Sequence, residues 1–133
     1  MLRGLLVYRL PAVLYAALLF WASSRRRLPM LEFGLGFEDK LAHFAAFAIL
    51  SVLVYIALTR PTRIARNPHA WAIGLASLYA LSDELHQRMV PGRTFEWSDL
   101  LADVAGIVVA QWLLSRWEHR ADSVASAPPG PAK

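Results

Sequence analysis

The sequence predicts an all-α protein that lies in a membrane as a four-helix bundle made of two transmembrane hairpins. The chain has 133 residues, of which 56 % are hydrophobic, and its mean hydropathy is +0.37. A soluble domain of this size could not bury so many apolar side chains. Four long apolar stretches are separated by short polar segments rich in arginine, proline and glycine. Charged residues gather at the ends of these stretches, a distribution that argues against nucleic-acid binding despite the net charge of +4.

The first predicted helix spans Leu5 to Ser24, and Pro11 suits the first turn of its uncharged part. A cleaved signal peptide is the alternative interpretation of this stretch. The arginines at 25–27 end the helix, and the glycines at 34 and 36 mark a short connecting loop. The chain contains no cysteine, which excludes disulfides and thiolate metal sites.

The second predicted helix begins near Glu38 and runs from Leu41 to Thr59. Its N-terminus carries Glu38 and Asp39, where the helix dipole favours negative charge. Asp39 and His43 are four residues apart and therefore share a face, so the simplest interpretation of His43 is an interfacial histidine paired with Asp39. Lys40 taken alone is typical of a side chain that extends to the membrane surface.

The third predicted helix starts near Ala70 or Trp71, after a hydrophilic turn over 60–69, and stays apolar until Ser82. Asp83, Glu84 and Gln87 then follow at its C-terminal end. The helix dipole disfavours carboxylates there, so we expect cations or protonation to offset them. A Pro-Gly turn at 91–92 returns the chain toward the bundle and places Arg93 to reach back.

The fourth predicted helix runs from Ser98, a suitable N-cap, to Trp117. Asp99 and Asp103 lie on one face, and two ionised carboxylates there would repel each other unless a cation, a proton or a metal ion lies between them. Small residues at 102, 106 and 110 repeat every fourth position and predict close helix packing. The transmembrane domain therefore covers residues 1–120, and 121–133 are predicted to form a disordered tail.

Charge predicts the orientation in the membrane. Four spans place both termini and the 60–69 loop on one side, which carries eight of the 14 lysines and arginines. The positive-inside rule then predicts cytoplasmic termini in the inner membrane of a multi-pass protein, with the charged motifs facing outward. The three arginines at 25–27 oppose this orientation.

Four blocks of sequence together resemble the VanZ-like family, which is named for a teicoplanin-resistance protein. They are D-K-L-A-H-F at 39–44, S-D-E-L-H-Q at 82–87, P-G-R at 91–93 and D-L-L-A-D-V-A-G at 99–106. The likeness covers roughly residues 10–115 and implies a small bacterial membrane protein of several helices. It also implies a polar cluster formed by Asp39, Lys40, His43, Asp83, Glu84, Gln87, Arg93 and Asp99. The family usually has asparagine where this chain has Asp103, which adds a potential negative charge.

These blocks lie at the same end of the two predicted hairpins, so we expect them to converge into one site. The first hypothesis is an enzyme or envelope-modifying factor that acts at the membrane surface on a lipid-linked or cell-wall substrate. Arg93 and Lys40 would hold a phosphate or carboxylate, and His43 would act as general acid or base oriented by Asp39. The remaining candidates are Asp83, Glu84 and Asp99 for catalysis or cation binding, and Gln87 and Asp103 for substrate binding.

Other functions stay open at this point. A non-enzymatic protein could bind a lipid head group or a glycopeptide with the same residues, a proton or ion relay could use the carboxylates, and a structural salt-bridge latch could account for the charges. The chain lacks a nucleophile elbow and an H-E-x-x-H motif. Carboxylates with one or two histidines suit Mg²⁺, Mn²⁺ and Zn²⁺ about equally, so no metal ligand or cofactor is assigned. The expected partners are membrane lipids and a lipid-linked envelope precursor or a glycopeptide, and the oligomeric state stays undetermined.

Overall fold

The computed structural model describes residues 2–25 and 38–125, and these ranges form helices joined by short connections. The first predicted helix consists of a short helix α1 (Leu2–Gly4), a π-helical stretch (Leu5–Arg9) and helix α2 (Leu10–Ser23). The others are α3 (Glu38–Thr59), α4 (Pro68–Gln87) and α5 (Trp97–Ala125). The predicted all-α class and helical bundle are confirmed.

Three of the described helical stretches are long and apolar enough to cross a membrane: Leu6–Ser23, Glu38–Thr59 and Trp97–Ala125. The fourth helix, α4, is less apolar because its last turns carry Asp83, Glu84 and Gln87. All three of these side chains are buried against the other helices, so they do not face the surroundings of the bundle. With 20 residues, α4 is about 30 Å long, which matches the thickness of a hydrocarbon layer.

Neighbouring helices along the chain run in opposite directions. Ser23 at the end of α2 contacts Asp83 near the end of α4, while Lys40 at the start of α3 contacts Asp99 at the start of α5. Ser23 and Asp83 line the same cavity as Asp39 and His43 of α3. The ends of α2 and α4 therefore meet the starts of α3 and α5, and we call this the motif end of the bundle.

The bundle exposes many large apolar side chains and buries several polar ones beside a small apolar core, as expected for a protein in lipid. Its small apolar core contains Phe47, Leu50, Ala76, Ala80 and Ile107. Large apolar side chains such as Val13, Leu78 and Leu101 are each more than 60 % exposed. The buried polar residues are Ser23, Ser51, Asp83, Glu84, Gln87, Asp99, Asp103 and Gln111.

Helices α3 and α5 approach closely at Gly106. A Cβ atom added there would lie 2.1 Å from the carbonyl oxygen of Phe44, too close for any side chain. The predicted role of the small-residue stripe in packing is thus confirmed at its middle position. The close approach brings the first turns of α5 against the first turns of α3.

Two predicted helix starts were late. Helix α4 begins at Pro68 rather than near Ala70, because the side chain of Asn67 caps it by accepting a hydrogen bond of 3.3 Å from the Ala70 amide. Helix α5 begins at Trp97, and the backbone carbonyl of Glu96 accepts the first helical hydrogen bonds. Ser98 therefore lies inside the helix and is not its N-cap.

Helix α5 also continues to Ala125, beyond the predicted end at Trp117. Contacts across the bundle hold this extension: Glu118 accepts a hydrogen bond from the hydroxyl of Tyr55 and lies 3.1 Å from Nε2 of His69. Residues 121–125 of the predicted tail are consequently helical. Residues 126–133, the arginines at 26–27 and the glycines at 34 and 36 lie outside the described ranges.

Replacing Gly106 with alanine should separate α3 from α5, because the new methyl group would meet backbone rather than a movable side chain. We expect a loss of about 1–3 kcal/mol or more in stability, measured as a lower thermal unfolding midpoint in detergent. Gly74→Ala is the matched control, since it adds the same methyl group to a helix with no atom within 4 Å and should be neutral or slightly stabilising. Equal midpoints for the two variants would contradict this account of the packing.

Candidate functional site

A chain of hydrogen bonds joins α2, α4 and the segment after α4. The hydroxyl of Ser23 donates to Oδ1 of Asp83 at 2.7 Å, and the amide of Gln87 donates to Oδ2 of the same carboxylate at 3.2 Å. Arg93 donates through Nη2 to the side-chain oxygen of Gln87. The predicted return of Arg93 toward α4 is therefore seen, and each oxygen of Asp83 has a partner.

Lys40 lies in a group of carboxylates between α3 and the start of α5. Its ammonium group donates to Oδ1 of Asp99 and to Oε2 of Glu96, the latter at 3.1 Å, and lies 3.6 Å from Asp39. The hydrogen bond from Lys40 holds the pKa of Glu96 below its ordinary value of 4.5. A carboxyl group whose pKa is lowered in the folded protein contributes its full stabilisation above its ordinary pKa and loses it as the pH falls through the lowered value. The contact between Glu96 and Lys40 therefore weakens only below a pH of 4.5.

His43 lies between the two aspartates of α5. Its Nδ1 hydrogen-bonds with Oδ1 of Asp103 at 3.0 Å, and its Nε2 is 3.7 Å from Oδ2 of Asp99. The spacing of Asp99 and Asp103 predicted that a cation, a proton or a metal ion separates their charges. His43 and Lys40 are the groups that contact these carboxylates. His43 is oriented by Asp103 and not by Asp39 as predicted, because Asp39 is 55 % exposed while the close packing at Gly106 brings Asp103 next to the ring.

Glu84 and Asp103 are both fully buried. Oε2 of Glu84 accepts a hydrogen bond of 3.2 Å from the backbone amide of Glu96, so this carboxylate ties the end of α4 to the start of α5. In the described part of the chain, Oε1 of Glu84 and Oδ2 of Asp103 have no hydrogen-bond partner. Candidate donor atoms of His43, Glu84 and Asp103 all lie within 4.8 Å of one another, and the same holds for Asp39, His43 and Asp99.

A cavity of about 140 Å³ lies between α2, α3 and α4 at the motif end. Its deeper wall is apolar and includes Leu19, Ala46 and Phe47. The wall nearer the end of the bundle is polar, with Ser23, Asp39, His43, Asp83, Gln87 and Arg93. The cavity can therefore hold a small polar group at the membrane surface next to an apolar one at greater depth.

All nine residues proposed from the sequence lie at the motif end. Five of them line the cavity: Asp39, His43, Asp83, Gln87 and Arg93. The other four, Lys40, Glu84, Asp99 and Asp103, form the adjoining group between α3, α4 and α5. Convergence of the separate sequence blocks is thus seen in the fold.

Two members of the site were not proposed from the sequence, namely Ser23 and Glu96. Ser23 is 6 % exposed and bonds to Asp83, and its signal was a pair of serines at the end of an otherwise apolar helix. Glu96 contributes both its carboxylate, which pairs with Lys40, and its backbone amide, which binds Glu84. Beside them, Ser24 lies 2.9 Å from Nε2 of His86, whose ring lies 4.4 Å from that of Phe20.

The chain matches a known protein family. The model of a family described as VanZ/LLP1 matches residues 9–118, which is most of the chain. The protein belongs to the VanZ/LLP1 family. The matched range contains the nine proposed residues of this VanZ/LLP1 site as well as Ser23 and Glu96. No curated protein and no solved structure matches the chain.

Replacing Lys40 with methionine should destabilise this VanZ/LLP1 protein, because it leaves the carboxylate of Asp99, which is 4 % exposed, without its ammonium partner. Because a hydrogen bond between charged groups is lost, we expect the free energy of unfolding to fall by about 1–3 kcal/mol. The thermal unfolding midpoint in detergent measures this loss.

The double variant Lys40→Met/Asp99→Asn controls for the uncompensated charge. It removes the carboxylate along with the ammonium group and should recover most of the lost stability. A single variant as stable as the wild type would show that this ion pair does not hold α3 to α5.

Proposed function

We propose that this VanZ/LLP1 protein is a multi-pass protein of the bacterial inner membrane that binds a lipid-linked or cell-wall substrate at the membrane surface and acts on it chemically. The cavity at the motif end carries this proposal. Its apolar wall lies deeper in the bundle and its polar wall lies at the end. An amphiphilic lipid-linked molecule presents the same order of groups along the membrane normal.

Arg93 is the better candidate for holding a phosphate or carboxylate group of the substrate. It lines the cavity and is held by the uncharged side chain of Gln87, so its charge is not neutralised by that contact. Lys40 supports this role less well, because its ammonium group already contacts Asp99 and Glu96. Lys40 is better placed to position Asp99.

His43 is the candidate general acid or base. It lines the cavity, and its hydrogen bond to Asp103 fixes the orientation of the ring. When Nδ1 donates to Asp103, Nε2 is the nitrogen left to exchange a proton with a bound group. Asp83 and Asp39 also line the cavity, and Asp83 is already saturated by Ser23 and Gln87, which suits a positioning role.

A second candidate is a non-enzymatic protein that binds a lipid head group or a glycopeptide. The chain of contacts from Ser23 through Asp83 and Gln87 to Arg93 favours it, since it presents a fixed guanidinium group and requires no proton transfer. The link to teicoplanin resistance is supported by family membership alone. A proton relay is less well supported, because the carboxylates lie at one end of the helices rather than at mid-bilayer.

Variants of His43 and Arg93 distinguish the two candidates. If the protein is an enzyme, His43→Gln should slow its reaction by the factor of about 10²–10⁴ typical of a lost general acid or base, and the expressing host should lose its teicoplanin tolerance. Lipids that co-purify with the protein should be retained. Arg93→Ala should lose both the tolerance and the co-purifying lipid, while Arg88→Ala, an exposed arginine on the same segment, should lose neither.

The amount of each variant in the membrane must equal that of the wild type for this comparison to count. A His43→Gln variant that keeps full tolerance would overturn the enzyme and leave the binding protein. An Arg93→Ala variant that keeps its bound lipid would remove the proposed contact with the substrate.

The proposed orientation, with cytoplasmic termini and an outward motif end, can be tested because the chain has no cysteine. Gly92 is a poor labelling position, since its φ of +84° favours glycine. Thr62→Cys and Thr94→Cys replace exposed threonines in the connections at opposite ends of the bundle. In intact cells we expect a membrane-impermeant thiol reagent to label Thr94→Cys alone, and the reverse pattern would point to a cytoplasmic lipid precursor.

A further inference from the structure

Two buried carboxylate oxygens remain unexplained by the contacts of the site. Among the residues that the structure describes, Oε1 of Glu84 and Oδ2 of Asp103 have no hydrogen-bond partner, although both residues are 0 % exposed. Buried polar atoms are nearly always paired, and an unpaired buried carboxylate oxygen carries a large desolvation penalty. Each residue uses its other oxygen, Glu84 for the Glu96 amide and Asp103 for His43. Both free oxygens therefore belong to carboxylates that are already fixed in place.

The charges around these oxygens favour an additional cation. The site contains six carboxylates, from Asp39, Asp83, Glu84, Glu96, Asp99 and Asp103. Within residues 2–25 and 38–125, the lysine and arginine of the site are Lys40 and Arg93, and their contacts go to Asp99, Glu96, Asp39 and Gln87. Neither contacts Glu84 or Asp103 in the described part of the chain. Of Lys40, Arg93 and His43, it is His43 that lies beside both carboxylates.

We propose that His43, Glu84 and Asp103 bind one divalent transition-metal ion, Zn²⁺ or Mn²⁺. One ring nitrogen and two carboxylate oxygens form a donor set that these ions accept, whereas Mg²⁺ and Ca²⁺ favour oxygen ligands alone. The candidate donor atoms lie within 4.8 Å of one another. Ligand atoms on a tetrahedral Zn²⁺ ion with bonds of about 2.0–2.2 Å are about 3.3–3.6 Å apart, so binding requires the three side chains to move closer together by at most about 1.5 Å.

The place of the ion in the bundle supports a chemical role. The three ligands come from α3, α4 and α5, so the ion joins all three helices at the motif end. His43 is also part of the cavity wall. With three protein ligands the ion retains an open coordination position, as catalytic zinc sites do. The metal site does not depend on the identity of the substrate. An ion bound to the ring of His43 would prevent that ring from acting as the general acid or base, so in the metal-bound protein a water molecule at the open position would exchange the proton instead.

The other group with suitable spacing, Asp39, His43 and Asp99, is a poorer site. The ammonium group of Lys40 contacts Asp99 and lies 3.6 Å from Asp39, so a metal ion there would have to displace or approach a positive charge. Asp39 is also 55 % exposed. The two groups share His43, so variants of the carboxylates decide between them.

The experiment uses the full-length protein, purified in detergent through a histidine-free affinity tag and stripped with a chelator. Zn²⁺ and Mn²⁺ are each titrated in, with binding followed by competition with a chromogenic chelator for Zn²⁺ and by electron paramagnetic resonance for Mn²⁺. We expect one equivalent of at least one of these ions to bind and to raise the thermal unfolding midpoint. Glu84→Gln should weaken binding at least about 10-fold, because even residues that only hydrogen-bond to metal ligands cost about 10–100-fold in affinity when they are replaced.

Two control variants make the result specific. Glu96→Gln removes one negative charge from an exposed member of the same cluster and should leave the affinity within about twofold, because that side chain belongs to neither group of potential ligands. Asp39→Asn should behave in the same way. The apo forms of all variants are checked for an unchanged elution profile, so that loss of binding is not loss of fold.

Three results would overturn the proposal. They are no stoichiometric binding of either ion by the wild type, an unchanged affinity in folded Glu84→Gln, or a loss of binding in Asp39→Asn with retention in Glu84→Gln. The last result would assign the ion to the outer group. Because the titration needs no substrate, its outcome is separate from the lipid and tolerance assays that test the proposed function.

Discussion

The structure depends on the burial of carboxylates between α3, α4 and α5. Glu84, Asp99 and Asp103 are each at most 4 % exposed, and charges buried in a membrane protein require partners from neighbouring helices. Helix α3 supplies two of these partners, Lys40 and His43, within its first two turns. These contacts can form only if α3 and α5 approach closely, so the packing of the helices and the neutralisation of charge are one constraint.

That constraint explains why α4 has a weaker membrane signal than the helices around it. Its polar residues near the C-terminus all turn inward, where Asp83 meets Ser23 of α2 and Glu84 meets the backbone before α5. A hydropathy average counts such residues against a membrane span regardless of the direction in which they point. Helix α4 packs against α2, α3 and α5, and the inward-facing polar groups hold these helices together at the motif end.

The fold and the location of the site were predictable because both follow from patterns along the chain. The apolar stretches predicted the positions of the helices, and the short connections predicted that successive helices run in opposite directions. Together these two predictions place the sequence blocks at one end of the bundle. Partners across helices were not predictable in the same way. The spacing of Asp39 and His43 describes one helix only, whereas the choice of Asp103 depends on the rotation of α5 and on Gly106. The contacts of Glu118 with Tyr55 and His69 were not predicted because they too join different helices. The start of α4, by contrast, could have been predicted from Asn67, which precedes Pro68 and caps the helix.

The two halves of the motif end differ in how far their polar atoms are satisfied, and under the proposed function this difference would separate recognition from reaction. In the half that contains Asp83 and Gln87, both carboxylate oxygens and the amide of glutamine have partners, and Arg93 is fixed as a result. In the half that contains Glu84 and Asp103, each carboxylate has one oxygen that no described residue hydrogen-bonds. A saturated network can orient a ligand but gains little from a new bond, whereas an unsaturated one is stabilised by an incoming atom. His43 lines the cavity and contacts the unsaturated half, so it is the residue through which chemistry at that half would reach a group held by Arg93.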